Sequence, residues 1–198
     1  MNIALHYQMT LRDREGRVVW RSRKLRSYSL VNAWLRLLRG LMNNATENNI
    51  KDINGANKNI LAPADAGMAI PYMNFVGSSD PGIVVGTGNA AVGMLDYSLA
   101  SIVADGSGAG QLVRGACTIG MVAAGASQAQ LPITRSFSNS SGGTVTVTET
   151  GIHAGCKKTG IAPYEYPNIL VVRDVLTSPV AVNNGQTLTV TYLFTITV

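Results

Sequence analysis

Apolar residues occupy alternate positions at the end of the chain, where Leu188, Val190, Tyr192, Phe194, Ile196 and Val198 are interleaved with Thr187, Thr189, Thr191, Thr195 and Thr197. Alternation sends successive side chains to opposite faces of a strand, so the segment is predicted to bury one face and solvate the other. No charged side chain occurs from Val175 to Val198. A strand of that length is ordered only by pairing in a sheet of the same subunit or of a neighbour. Upstream, Gly82–Thr87, Leu95–Val103, Gln111–Val122, Ala129–Phe137, Thr144–His153, Ile169–Val175 and Val180–Val198 read as strands separated by Gly-, Ser- or Asn-rich turns. Such spacing predicts a mainly β protein, an antiparallel β-sandwich or jelly roll. Asn139-Ser140-Ser141-Gly142-Gly143 and Asn183-Asn184-Gly185-Gln186 are its clearest hairpin turns, because Asn and Gly accept positive φ.

The amino-terminal part has a different rhythm. Ile3–Leu11, a turn at Asp13-Arg14-Glu15-Gly16 and a return from Arg17 to Trp20 predict an N-terminal hairpin. Ser29 is placed to cap one amphipathic helix over Leu30–Met42, with Val31, Trp34, Leu35, Leu38 and Met42 on its apolar face and Asn32, Arg36 and Arg39 opposite. That face needs a sheet or a neighbour to cover it. Residues 43–82 are Asn-rich and then Ala/Gly/Pro-rich, which predicts a long functional connection. The chain thus divides into residues 1–42 (hairpin and helix), 43–82 (connection) and 83–198 (sandwich), with 1–42 packed on the sandwich as one compact unit.

Composition adds a reason to expect partners. Charged residues are 14% of the 198, with 46% hydrophobic and mean hydropathy +0.15, against roughly 25% charged in ordinary soluble domains. A surface so poor in charge is economically covered by copies of the same chain. The net charge of +5 is concentrated, since residues 1–51 hold ten of the sixteen Lys/Arg and three acids. Arg12, Arg14, Arg17, Arg21, Arg23, Lys24 and Arg26 suit an acidic partner or phosphates, but no base-reading or aromatic-interleaved motif accompanies them. Arg17, Arg21 and Arg23 are predicted to share one side of a strand, as a positive stripe facing an acidic neighbour.

The chemistry of catalysis is sparse. His6 and His153 have no metal-ligand spacing with Cys117 or Cys156, and Asp96, Asp105, Glu149 and Asp174 stand singly. Gly86-Thr87-Gly88 and Gly106-Ser107-Gly108-Ala109-Gly110 invite a phosphate-loop reading, yet neither precedes a Lys-Ser/Thr pair or a helix. Asp80 and Asp105 lie outside any calcium-loop pattern. No cofactor or metal is therefore expected, and the chain reads as a non-enzyme. The two cysteines are expected to be reduced thiols of a protein made in the cytoplasm. No secretory signal or membrane span is expected either.

Three stretches resemble virion proteins of tailed bacteriophages. LRDREGRVVWRSRKLRSYSLVNAWLRLLRGLM is similar to their hairpin leading into a Leu-rich helix, and Ile83–Gly88 with Asp96-Tyr97-Ser98-Leu99 is similar to a "VGTG…DYxL" segment. ITRSFSNSSGGTVTVTETGIH and LVVRDVLTSPVAVNNGQTLTVTYLFTITV resemble "R-x-F-x-N-x-SG…V-x-E-x-G" and "RDV…V-x-V-x-x-G-x-x-L-x-V-x-Y" strands. His153 stands where the pattern has an aromatic, and 156–167 looks like an insertion. The resemblance implies a structural subunit of the tail, neck or head-decoration class, located in the virion and carrying no catalytic residues. The expected partners are itself, in a closed homo-oligomer, and other virion proteins. Arg17, Arg21, Arg23, Trp34 and Leu38 are the interface candidates. The rival from another class is a receptor- or glycan-binding jelly-roll module using Tyr72, Asn74, Tyr164 and Tyr166, and a spatially assembled enzyme is a third, weaker reading.

Overall fold

The computed structural model describes residues 2–43, 45–60, 73–76, 81–158 and 165–198. The middle of the larger sheet is built from β11 (Gln128–Ser138), β14 (Thr187–Thr197) and β1 (Asn2–Arg12), in that order. β14 pairs antiparallel with both neighbours along its whole length, from Asn2↔Thr197 to Arg12↔Thr187 on one side and from Gln128↔Thr197 to Ser138↔Thr187 on the other. The alternating tail is therefore the central strand. Leu188, Val190 and Tyr192 point into the core with no exposure, while on the outer face the hydroxyls of Thr134 and Thr191 pair at 3.1 Å and those of Ser138 and Thr187 at 3.0 Å. Short pieces cover the flanks: β2 (Val18–Arg21) and β3 (Leu25–Ser27) along β1, and β8 (Val113–Arg114), β9 (Thr118–Ile119) and β10 (Ala123–Ala124) along β11.

The second sheet sets β13 (Asn168–Val182) beside β12 (Val145–Cys156), which also pairs with β7 (Gly82–Gly86) and β6 (Met73–Asn74). Every ladder is antiparallel. One core joins the inward faces, with Met9, Ile133, Phe137 and Tyr192 from the larger sheet against Val147, Ile152, Ile169 and Val171 from the smaller. The protein is thus mainly β, with antiparallel sheets arranged as a sandwich. Residues 25–31 close one side, since β3 pairs with β1 while Leu30 bridges Val172 and Val31 N–H bonds the Val171 carbonyl.

Several expectations need correction. Leu95–Val103 forms no strand; its end merely lies along β7, with Ile102 bridging Gly86. Gln111–Val122 contributes only short pieces interrupted by Gly115 and Gly120, residues that weaken strand interiors. Neither Asn-Gly turn closes a hairpin: Asn139–Gly143 carries the chain from β11 to β12 in the other sheet, and Asn183–Gln186 carries it back from β13, which includes Val180–Val182, to β14. The connection at 43–82 contains a β-hairpin, β4 (Glu47–Lys51) and β5 (Asn57–Ile60). Its turn is built by Asp52, whose Oδ1 accepts the N–H groups of Asn54 and Ala56 at 2.9 Å, and by Gly55 at φ +80°. Ile50 and Ile60 anchor it in the core.

The helix α1 (Asn32–Asn43) is rotated from its expected orientation. Leu37 and Gly40 are buried, whereas Leu35, Leu38 and Met42 are 59%, 37% and 81% exposed. Glu47 explains the rotation. It is buried beneath the helix, where its carboxylate takes two bonds from Arg39, at 2.7 and 3.0 Å, and lies 3.6 Å from Arg36 Nε. Gly40 lets Ala45 and Glu47 approach, because a Cβ there would stand 3.0 Å from the Glu47 side chain. The basic residues thus turn toward an internal acid, and the apolar stripe turns outward.

Candidate interaction surfaces

Two of the three segments that carry the sequence resemblance meet at one buried point. Glu149 on β12 has no exposure. Its Oε1 accepts the N–H groups of Gly88 (3.1 Å) and Ser101 (2.8 Å), and its Oε2 accepts Ala100 N–H (3.1 Å) and Arg173 Nε–H (2.9 Å). Arg173 on β13 also donates to Asp96 Oδ2 at 2.6 Å and to the carbonyls of Ala90 and Ala91. A Cβ on Gly86 would lie 2.6 Å from Glu149 Oε1, so glycine permits the close approach. The anion held by this glycine loop is the protein's own carboxylate. Both acids that stood singly in the sequence, Asp96 and Glu149, are joined through one arginine into a structural strut.

Other motif residues tie the sheets together. Arg135, fully buried, sends Nε–H to the Gly115 carbonyl (3.0 Å) and Nη1–H to that of Ile83 (2.8 Å), linking β11 to β7. Asn139 donates to the carbonyls of Gly143 and Val182 and accepts from Ser141, while its backbone bonds Gly185 and Gln186. It pins both turns by which the chain passes between the sheets. Asp174 accepts the Tyr192 hydroxyl at 2.9 Å, and burial pushes its carboxyl above the ordinary range. The buried Cys117 and Cys156 are free thiols; burial raises both, Cys156 to about 12.

The expected site residues fall in three places. Arg17 lies in the hairpin turn before β2, where Asp13 (2.8 Å) and Glu15 (3.1 Å) hold it, and so it is separated from the stripe expected of it with Arg21 and Arg23. Arg21 and Arg23 are exposed and line a cavity of about 370 Å³ between β2 and β13, with Tyr7, Met9, Trp20 and Leu176. Trp34 stacks on Phe194 with centroids 5.9 Å apart. Leu38 lies on the exposed stripe of α1. On the same face of β14 as Phe194, Ile196 runs on beyond Trp34 into solvent, beside its ladder partner Ile3 and followed by Val198.

Of the rival site, Tyr72 and Tyr164 lie outside the described residues; Tyr166 is exposed, and Asn74 Oδ1 accepts Val76 N–H. Among the described residues no group of three His, Cys, Asp or Glu is placed to hold a metal ion, and no helix is long and apolar enough to cross a membrane. No family model matches the chain, and comparisons with curated proteins and with solved structures return no match.

Proposed function

We propose that this protein is a structural subunit of a bacteriophage particle, of the tail, neck or capsid-decoration class, that self-associates and docks on neighbouring virion proteins. The observation that carries self-association is the outward apolar stripe Leu35, Leu38 and Met42 on α1, together with further exposed apolar residues at the end of the larger sheet, Ile3, Ile196 and Val198. Contiguous apolar surface of several hundred Å² marks an interaction site, and another copy buries it best under closed symmetry. The virion assignment rests on the sequence resemblance, among whose residues Asp96, Arg135, Asn139, Glu149 and Arg173 serve as struts and corner pins. A rigid, internally cross-braced body suits a building block. The finer jelly-roll reading is supported by nested pairing, β12 with β13 inside β11 with β14, as when a two-stranded ribbon is wound over a core.

The test is the solution mass of the protein beside that of a Leu35→Ser/Leu38→Ser/Met42→Ser variant. The wild type is expected at a multiple of 20.9 kDa and the variant at one chain's mass with an unchanged melt. A wild type that stays monomeric at high concentration overturns self-association. Absence of the protein from purified particles overturns the virion reading.

A further inference from the structure

We infer that the slit between β2 and β13 is a docking site for an extended acidic polypeptide segment bearing an apolar anchor residue. This deepens the docking half of the proposed function and is independent of self-association. The slit arises from backbone geometry. The β12–β13 register jumps from Val147↔Val180 to Glu149↔Val175, so Leu176, Thr177, Ser178 and Pro179 oppose Thr148 alone and bulge from the sheet. β13 ends its sheet and, among the described residues, has no strand on its other edge over 174–180. Across the gap, Ser22 N–H bonds the Met9 carbonyl, and its Oγ accepts Met9 N–H. In an antiparallel ladder, residues flanking such a paired position turn their N–H and C=O the other way. The backbone groups of Arg21 therefore face the slit side, as an unused strand edge ready for an added strand, while the Arg23 carbonyl is taken by the Ser22 hydroxyl at 2.8 Å.

The floor and the rim specify the occupant. Tyr7, Met9 and Val180 form a buried apolar floor, and Trp20, 39% exposed, stands over it. On the rim, Arg21 and Arg23 have no acidic partner among the described residues. An acidic strand satisfies all three elements: edge hydrogen bonds, an apolar pocket and uncompensated cations. Nucleic acid would satisfy the cations alone.

The experiment uses the full chain and an array of extended peptides graded in net charge, each with a central Phe, Leu or Ser, read by fluorescence anisotropy at two salt concentrations. Affinity is expected to rise with negative charge, to require the central Phe or Leu, and to fall about tenfold, equal to roughly 1.4 kcal/mol, in Arg21→Ser/Arg23→Ser. Because both arginines are exposed, the melt of that variant should be unchanged. Ser178→Asp places a carboxylate on the opposite wall and should weaken acidic peptides similarly. Binding indifferent to peptide charge or to the central residue overturns the inference, as does duplex DNA competing as well as the best peptide. A solution mass that changes with the helix stripe but not with these variants separates this result from the self-association test.

Discussion

Glu149→Gln is a near-isosteric change with a large expected cost. The amide oxygen replaces Oε1 and keeps the bonds from Gly88 and Ser101, but the amide nitrogen then faces Ala100 N–H and Arg173 Nε–H, two donors that lose their acceptor. Arg173 remains 3% exposed with Asp96 as its remaining acid. Breaking a buried ion pair from one side costs about 3–5 kcal/mol, and a newly orphaned buried N–H adds about 1–3 kcal/mol. Against a total stability of about 5–15 kcal/mol for a domain, Glu149→Gln should lose at least about 4 kcal/mol. Urea unfolding at pH 7, followed by far-ultraviolet circular dichroism, measures it. Adding Arg173→Gln removes the stranded cation, so the double variant should be more stable than additivity predicts by about 1–3 kcal/mol. A loss below about 1 kcal/mol, or strict additivity, refutes the account of the strut.

Two further outcomes follow from other parts of the core. Asp174 has a raised carboxyl pKa in the folded state, so its contribution favours folding below the unfolded value near 4 and is lost as pH rises through the folded value; Asp174→Asn should flatten that part of a plot of urea midpoint against pH, and a steeper slope refutes the sign. Deleting residues 191–198 strips half of the central strand from both β1 and β11 and should abolish soluble folding, whereas a soluble product with an unchanged cooperative melt refutes the central placement.

The β content, the N-terminal hairpin and the terminal strand were legible because each rests on local signals, period two and Thr-rich outer faces; the two Asn-Gly segments were legible as turns but not as crossings between sheets, because their local geometry says nothing of which strand the chain pairs with next. The helix was legible as a helix but not in its rotation. Its stripe of Leu35, Leu38 and Met42 looked like the buried face, and the deciding residue, Glu47, comes after the helix in a stretch that reads as polar linker. The Asn-rich hairpin was hidden because its strands carry one apolar anchor each, Ile50 and Ile60, too few for a periodic signal. The strut was hidden for another reason: Asp96, Glu149 and Arg173 lie far apart along the chain, and only the fold brings them together. A usable sign was present, since Glu149 and Arg173 are charges within apolar strands of a charge-poor chain. The cationic rim was visible in composition, whereas the slit beneath it depends on a register jump that no sequence period announces.

The pairing of β1 with β14 has a consequence for synthesis. Asn2 meets Thr197, so β1 waits for a strand made after everything between them. The hairpin β12–β13 can form earlier from neighbouring sequence, while closure of the larger sheet is a long-range and therefore slow event. Until β14 emerges, the inner edges of β1 and β11 stand open and the surface around Phe194 that receives Trp34 does not exist. The surface formed by Phe194 and Trp34 thus appears only once the larger sheet has closed, and until then the open strand edges of β1 and β11 are the chain's exposure to wrong pairing.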